Sequence, residues 1–149
     1  MATKTKLFFL TVVAGFFVLL MIQIVPYGRN YTNPPIIREP SWDSLATRAI
    51  VKRACFDCHS NETIWPWYSR VAPVSWLVRY DVDEGRRELN FSDWQYGARE
   101  GERIDKIRKE ITNGGMPPVA FRLMHAEARL SDAEIRMIID GLSATTLRR

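Results

Sequence analysis

Cysteine and histidine are scarce in this chain, at two residues each in 149. With no second cysteine pair, a further cysteine-held redox centre is excluded. Acidic residues are missing from the N-terminal quarter, the first being Glu39. No stretch alternates polar and apolar residues well enough to form a strand, and no internal repeat or low-complexity block occurs. A strong excess of one charge is also lacking. With Lys4 and Lys6 set aside, 19 Lys and Arg face 17 Asp and Glu, a balance that excludes a nucleic-acid footprint. The mixed run Arg99-Glu100-Gly101-Glu102-Arg103 reads as a solvated helix face.

One long apolar run is present. Lys4 and Lys6 precede Leu7 to Val25, about 19 residues or roughly 28 Å of helix, enough to cross a bilayer core. It is apolar on every face, which argues against a core helix. A cleaved signal peptide is the alternative. The run is longer than a usual signal core, and Ile24-Val25-Pro26-Tyr27 offers no small-x-small cleavage site. Residues 1–26 therefore read as a retained anchor. The basic flank places the N-terminus in the cytoplasm and sends the rest across. Tyr27 and Arg29 follow as interfacial anchors. Residues 27–41, with three of the eight prolines, read as an extended tether along the membrane surface. Residues 42–149 are one small domain.

The two cysteines and one of the histidines fall together, as Cys55-Phe56-Asp57-Cys58-His59. This spacing is that of a c-type haem attachment site. Each thiol can add across a haem vinyl group, and the adjacent imidazole can bind the iron as a neutral ligand. A redox dithiol, a disulfide and a structural zinc use the same residue types. Zinc needs a second well-spaced ligand pair, and His59 directly after Cys58 is poorly placed for the same tetrahedron. The expected cofactor is one covalently attached haem c. Its attachment outside the cytoplasmic membrane agrees with the anchor.

The domain reads all-α. Ser41 or Asp43 is expected to cap a first helix, with Trp42, Leu45, Ala49 and Ile50 on one face, running into the cysteine motif. A second helix starts at Pro73 and carries Trp76, Leu77 and Tyr80. Ser92 is expected to cap a third, with Ile104, Ile107 and Ile111 in register, ended by Asn113-Gly114-Gly115. A short helical piece covers Val119 to Ala128. Ser131-Asp132-Ala133-Glu134 is a capping box, opening a last helix with Ile135, Ile138, Ile139 and Leu142 inward.

The distal iron position decides between electron transfer and ligand chemistry. Met116, in Gly114-Gly115-Met116-Pro117-Pro118, is the leading ligand, held on a stiff loop far from His59 in sequence. Packing alone is its bland role. His125 is the rival, as an iron ligand, a propionate contact or a surface residue. Trp65, Trp67, Tyr68 and Arg70 are candidate propionate partners, though each is commonly a packing residue.

Several ordered motifs extend the pattern: Cys55 through Thr63, Trp65-Pro66-Trp67-Tyr68, Asn90-Phe91-Ser92, Gly115-Met116-Pro117-Pro118, His125 and Leu130-Ser131-x-x-Glu134. Together they resemble the bacterial haem-binding domain family of single-haem c-type proteins, over about residues 40–145. The resemblance implies a small helical cytochrome c-like domain, often on an N-terminal anchor, with Cys55, Cys58 and His59 as haem-binding residues. Phe121 stands where Tyr is expected in such sequences. The resemblance and the anchor together imply a single-pass protein of the bacterial cytoplasmic membrane, its haem domain on the periplasmic side. Three functions follow. One is an electron carrier, with His59 and Met116 on the iron, exchanging electrons between a membrane complex and a partner protein. Another is a five-coordinate haem enzyme or gas sensor using His125. The last is an accessory subunit of a larger respiratory or photosynthetic assembly, with Ala14 and Gly15 admitting a neighbouring helix.

Overall fold

The structure, a computed structural model, describes residues 2–147; Met1 of the expected anchor and Arg148 and Arg149 of the expected domain lie outside it. The described residues form six α-helices and two short 3-10 turns, with no strand. An isolated parallel bridge joins Arg38 and Asp93. The all-helical reading therefore holds. The helices are α1 (Ala2–Ile22), α2 (Leu45–His59), α3 (Val74–Glu88), α4 (Glu100–Thr112), α5 (Val119–Met124) and α6 (Asp132–Leu147). The chain divides into two compact units.

The first unit joins the N-terminal residues through Thr32 to Trp65–Asp81. Within α1, Thr3–Ile22 has a mean hydropathy of 2.3 and none of it is buried against protein. A helix this apolar on all sides is long enough to span a membrane. Just past its end, Gln23 pairs with the Ala72 backbone. Its Nε2 donates to the Ala72 carbonyl at 2.9 Å, and its Oε1 accepts the Ala72 N–H at 3.0 Å. Tyr31 donates its hydroxyl to Ser69 O at 3.1 Å and meets the Trp65 ring edge-on at 5.5 Å. Gly28, at φ +80°, passes so near α3 that a Cβ would stand 2.6 Å from Ser75 O. Only glycine combines that φ with that approach.

The second unit holds Asn33–Ile64 and Val82–Arg149, described here through Leu147. Its core is aromatic and aliphatic: Val51, Phe56, Phe91, Trp94, Ile104, Ile111, Ile138 and Leu142 are all buried. Phe91 stacks on Trp94 at 5.8 Å and on Phe56 at 5.6 Å. The extended segment 33–41 is pinned to this unit. Ile37 and Arg38 both donate N–H to Ser92 O, Trp94 N–H donates to Arg38 O, and Asn61 Nδ2 donates to Pro35 O.

Two helix starts differ from the sequence reading. Ser44, rather than Ser41 or Asp43, caps α2, its Oγ accepting the Thr47 N–H at 3.1 Å. Asp43 instead packs against Gly141 of α6. With the start fixed at Leu45, the inward face is Thr47, Val51 and Ala54, while Leu45 is 86% exposed. Ile50 and Trp42 still pack against the core, but Ala49 is exposed. Likewise α4 begins at Glu100, not after Ser92. Ser92 is already committed, since its hydroxyl accepts the Asn61 N–H at 3.0 Å. Ile104 and Ile111 are buried and Ile107 packs beside them, as their spacing implies. Gly114 ends α4 at φ +72°.

Trp94 is the keystone of this core, because its indole N–H also donates to the buried Glu100 carboxylate at 2.9 Å. Trp94→Ala is expected to lower the unfolding free energy by about 3–5 kcal/mol. Trp94→Phe keeps the ring but removes that donor, for about 1–3 kcal/mol. Urea titrations of the two variants check the order.

The capping box forms as read. Glu134 accepts from the Ser131 N–H at 2.9 Å and hydroxyl at 2.8 Å, and pairs with Arg53. Ser131's N–H and hydroxyl, with the Arg53 guanidinium, hold the carboxyl down at about 2 rather than 4.5. A depressed carboxyl stabilises the fold above its ordinary value, and that contribution disappears as pH falls toward 2. Glu134→Gln is therefore expected to flatten the loss of thermal stability between pH 4.5 and about 2, measured by melting across that range.

Candidate cofactor site

Cys55, Cys58 and His59 share the last turn of α2. Helix spacing of three and four residues puts Cys55 alongside both of the others. No disulfide joins the two thiols, and each is half-buried. Burial, with the Cys58 sulfur nearby, pushes the Cys55 thiol up to about 12, so it stays protonated at neutral pH.

His59 is the most constrained of the three. Its Nδ1 lies 2.8 Å from Gly85 O and 3.1 Å from Leu89 O. Both partners are carbonyls, so Nδ1 carries the proton and donates. The lone pair is then on Nε2. Burial disfavours the imidazolium and holds the His59 pKa below its ordinary value. The His59 carbonyl meanwhile accepts the Phe91 N–H at 2.8 Å. Side chain and main chain of one residue thus clasp the end of α3 and the turn after it.

Gly85 makes this contact possible. A Cβ there would stand 2.5 Å from Cys58 O and 3.1 Å from Cys58 Cβ. Only a bare backbone lets α3 lie this close to the cysteine turn.

The residues just after His59 lock the turn from behind. Ser60 donates to Phe56 O at 2.8 Å and accepts the Glu62 N–H at 2.9 Å. Asn61 receives Asn90 Nδ2 at 2.9 Å. Thr63 donates to Asp57 O at 2.8 Å, and Asp57 accepts the Ile64 N–H at 3.0 Å. Arg86 donates to Ser60 O at 2.8 Å and to Thr63 Oγ1 at 2.9 Å. Ser60, Asn61 and Thr63 are all buried. Gly85 and Arg86 escaped the sequence reading, since a glycine and an arginine inside an amphipathic helix carry no local mark of a tertiary partner.

The two distal candidates stand on other segments. Met116 lies on the α4–α5 connection, its N–H bonded to Glu110 O at 3.1 Å and its side chain 37% exposed. Val119, Leu123 and Met124 of the following α5 are exposed too, and that helix buries none of its residues. His125 stacks on Phe121 at 4.2 Å and contacts Glu127 through Nδ1 at 2.9 Å. This segment packs on α2 through Arg53, which donates to Glu127 O, and His125 acts electrostatically on Asp57. Arg53 and Asp57 share one face of α2. At 100° per residue, Cys55 and His59 lie about 160–240° around the helix from them. Of the propionate candidates, Trp65, Trp67, Tyr68 and Arg70 all fall in the first unit. There Trp65 and Arg70 contact Tyr31, and Trp67 meets Tyr68 edge-on.

A family model described as a haem-binding domain matches residues 17–144. No curated protein and no solved structure matches the chain.

Proposed function

The chain belongs to the haem-binding domain family, and from that premise we propose that it is a membrane-anchored, single-haem c-type electron carrier. In this reading α1 is retained as the anchor, and the domain works on the periplasmic side of a bacterial cytoplasmic membrane. A membrane complex and a partner protein are its redox partners. Cys55 and Cys58 hold the haem through thioethers, His59 Nε2 takes the proximal position and Met116 the distal one. Bound there, the haem supplies reversible one-electron chemistry at iron.

The donor set of this turn fits that group. The observation that carries the reading is the tautomer of His59: the Gly85 and Leu89 carbonyls claim Nδ1–H and leave Nε2 as the basic nitrogen. Burial keeps the ring neutral, the form that binds a metal. The two thiols are not joined in a disulfide and stand on the same turn. A structural zinc is poorly served, because His59 directly follows Cys58, which is poor geometry for one tetrahedron. The network of Ser60, Asn61, Thr63 and Arg86 keeps the turn rigid, as a site that changes little on electron transfer requires.

The faces of α2 count against His125 as the distal ligand, which leaves Met116 as the candidate. His125 belongs with Arg53 and Asp57, on the side away from Cys55 and His59. Met116 is exposed, as are Val119, Leu123 and Met124 of α5. With both axial positions filled, the reduced wild-type protein is expected not to bind carbon monoxide at neutral pH. Met116→Ala is expected to bind it readily, and His125→Ala to behave as wild type. Difference spectra decide this. Ready binding by the wild type, together with peroxide turnover lost in His125→Ala, would favour the five-coordinate enzyme or sensor instead.

A further inference from the structure

Trp and Tyr are unevenly placed in this chain. Four of its five tyrosines and three of its five tryptophans fall outside the second unit. All seven lie in residues 23–32 and 65–81, just beyond α1 or on the segment that packs there. The same residues carry Arg29, Arg70 and Arg79 against one acid, Asp81. Aromatic side chains and arginines in one place are the composition of a membrane–water interface.

The geometry sets the level. Gln23, the first residue after α1, holds Ala72 by two hydrogen bonds to its backbone. Ala72 is therefore fixed beside the end of the apolar helix. On either side of it Trp67 is 75% exposed, Val71 48%, Val74 43% and Leu77 55%. Val74, Leu77 and Tyr80 follow the i, i+3 rule along one face of α3, while Ser75 and Val82 are buried on the other. Past Tyr80 the outward face turns charged, with Asp81 followed by Glu84, Arg87 and Glu88 in ion pairs. A helix that is apolar outward for two turns and charged thereafter is built to leave a lipid surface.

We propose that residues 65–81 form a second membrane contact beside α1, with Trp67, Val71, Val74 and Leu77 in the outer headgroup layer and Arg29 and Arg70 at the level of the lipid phosphates. The occupant of this face is the bilayer itself. Continuity with the end of α1, the aromatic composition and the local basic balance all point to lipid. The proposal rests on the reading of α1 as a retained span.

The test uses the full-length haem-loaded protein in nanodiscs of zwitterionic and anionic phospholipid, including one lipid with a diazirine near the top of its acyl chain. After illumination, lipid adducts are mapped by mass spectrometry. Adducts are expected in α1 and in 65–81, with 82–145 free of them. The exposed-site double variant Val74→Asp, Leu77→Asp is expected to lose the 65–81 adducts and keep those in α1, with an unchanged haem spectrum. Adducts confined to α1 would overturn the proposal and leave the anchor intact. Crosslinking of 65–81 to a second polypeptide instead of lipid would overturn it in favour of a protein partner. Absence of the α1 peptide from the mature protein would instead sink the anchor reading, and the proposal with it.

Discussion

Replacing His59 with alanine is expected to have two separable effects. On the proposed ligation the iron loses its proximal ligand, so the low-spin spectrum of a six-coordinate haem disappears. The polypeptide also loses the imidazole that donates to Gly85 O and Leu89 O. An unmet carbonyl at the end of α3 costs about 1–3 kcal/mol. His59→Asn separates the two, because its amide N–H stands where Nδ1–H stood and nothing replaces Nε2. The asparagine variant is expected to recover most of the lost stability and none of the spectrum. Visible spectra and urea titrations of the two proteins side by side give both readings. A low-spin spectrum surviving in the asparagine variant would remove His59 from the iron.

Gly85 carries the second large effect. In an open helix position, alanine in place of glycine stabilises by up to about 1 kcal/mol. Here the new Cβ meets the Cys58 carbonyl at 2.5 Å, and a backbone atom cannot swing aside. Overpacking of about 1–3 kcal/mol outweighs the propensity gain, so Gly85→Ala is expected to destabilise the fold. The larger Gly85→Val is expected to separate α3 from the cysteine turn and to reduce haem attachment sharply. Gly101 is the control. It sits in α4 with nothing within 4 Å of its would-be Cβ, and Gly101→Ala is expected to be neutral or slightly stabilising. Thermal melts and the yield of haem-stained protein compare the three.

What the sequence disclosed depends on the range of the interaction. Ser131 and Glu134 are three apart and bond each other, so their role was legible from spacing alone. The isoleucines of α4 and α6 repeat with the helix and point where the repeat says. Ser41, Asp43 and Ser44 are all good caps, and only tertiary packing selects Ser44, by drawing Asp43 to α6. That shift of start rotated the buried face of α2 away from Leu45. Ser92 looked like a cap because it precedes a helical pattern, yet its hydroxyl serves Asn61, thirty-one residues away. At the site, the Cys55-to-His59 motif announces its chemistry locally. The Gly85 and Leu89 carbonyls that set the His59 tautomer are long-range partners, and no local pattern marks them.

The central claim is that this turn of α2 carries one covalently held haem. Intact-mass and peptide mass spectrometry of protein matured in a host with a c-type attachment system tests it most directly, after acidified-acetone extraction. The expected result is one haem mass retained on the peptide that contains Cys55 and Cys58, and none on the Cys55→Ser, Cys58→Ser variant. A stable, folded wild-type protein whose peptide carries two unmodified thiols would contradict it.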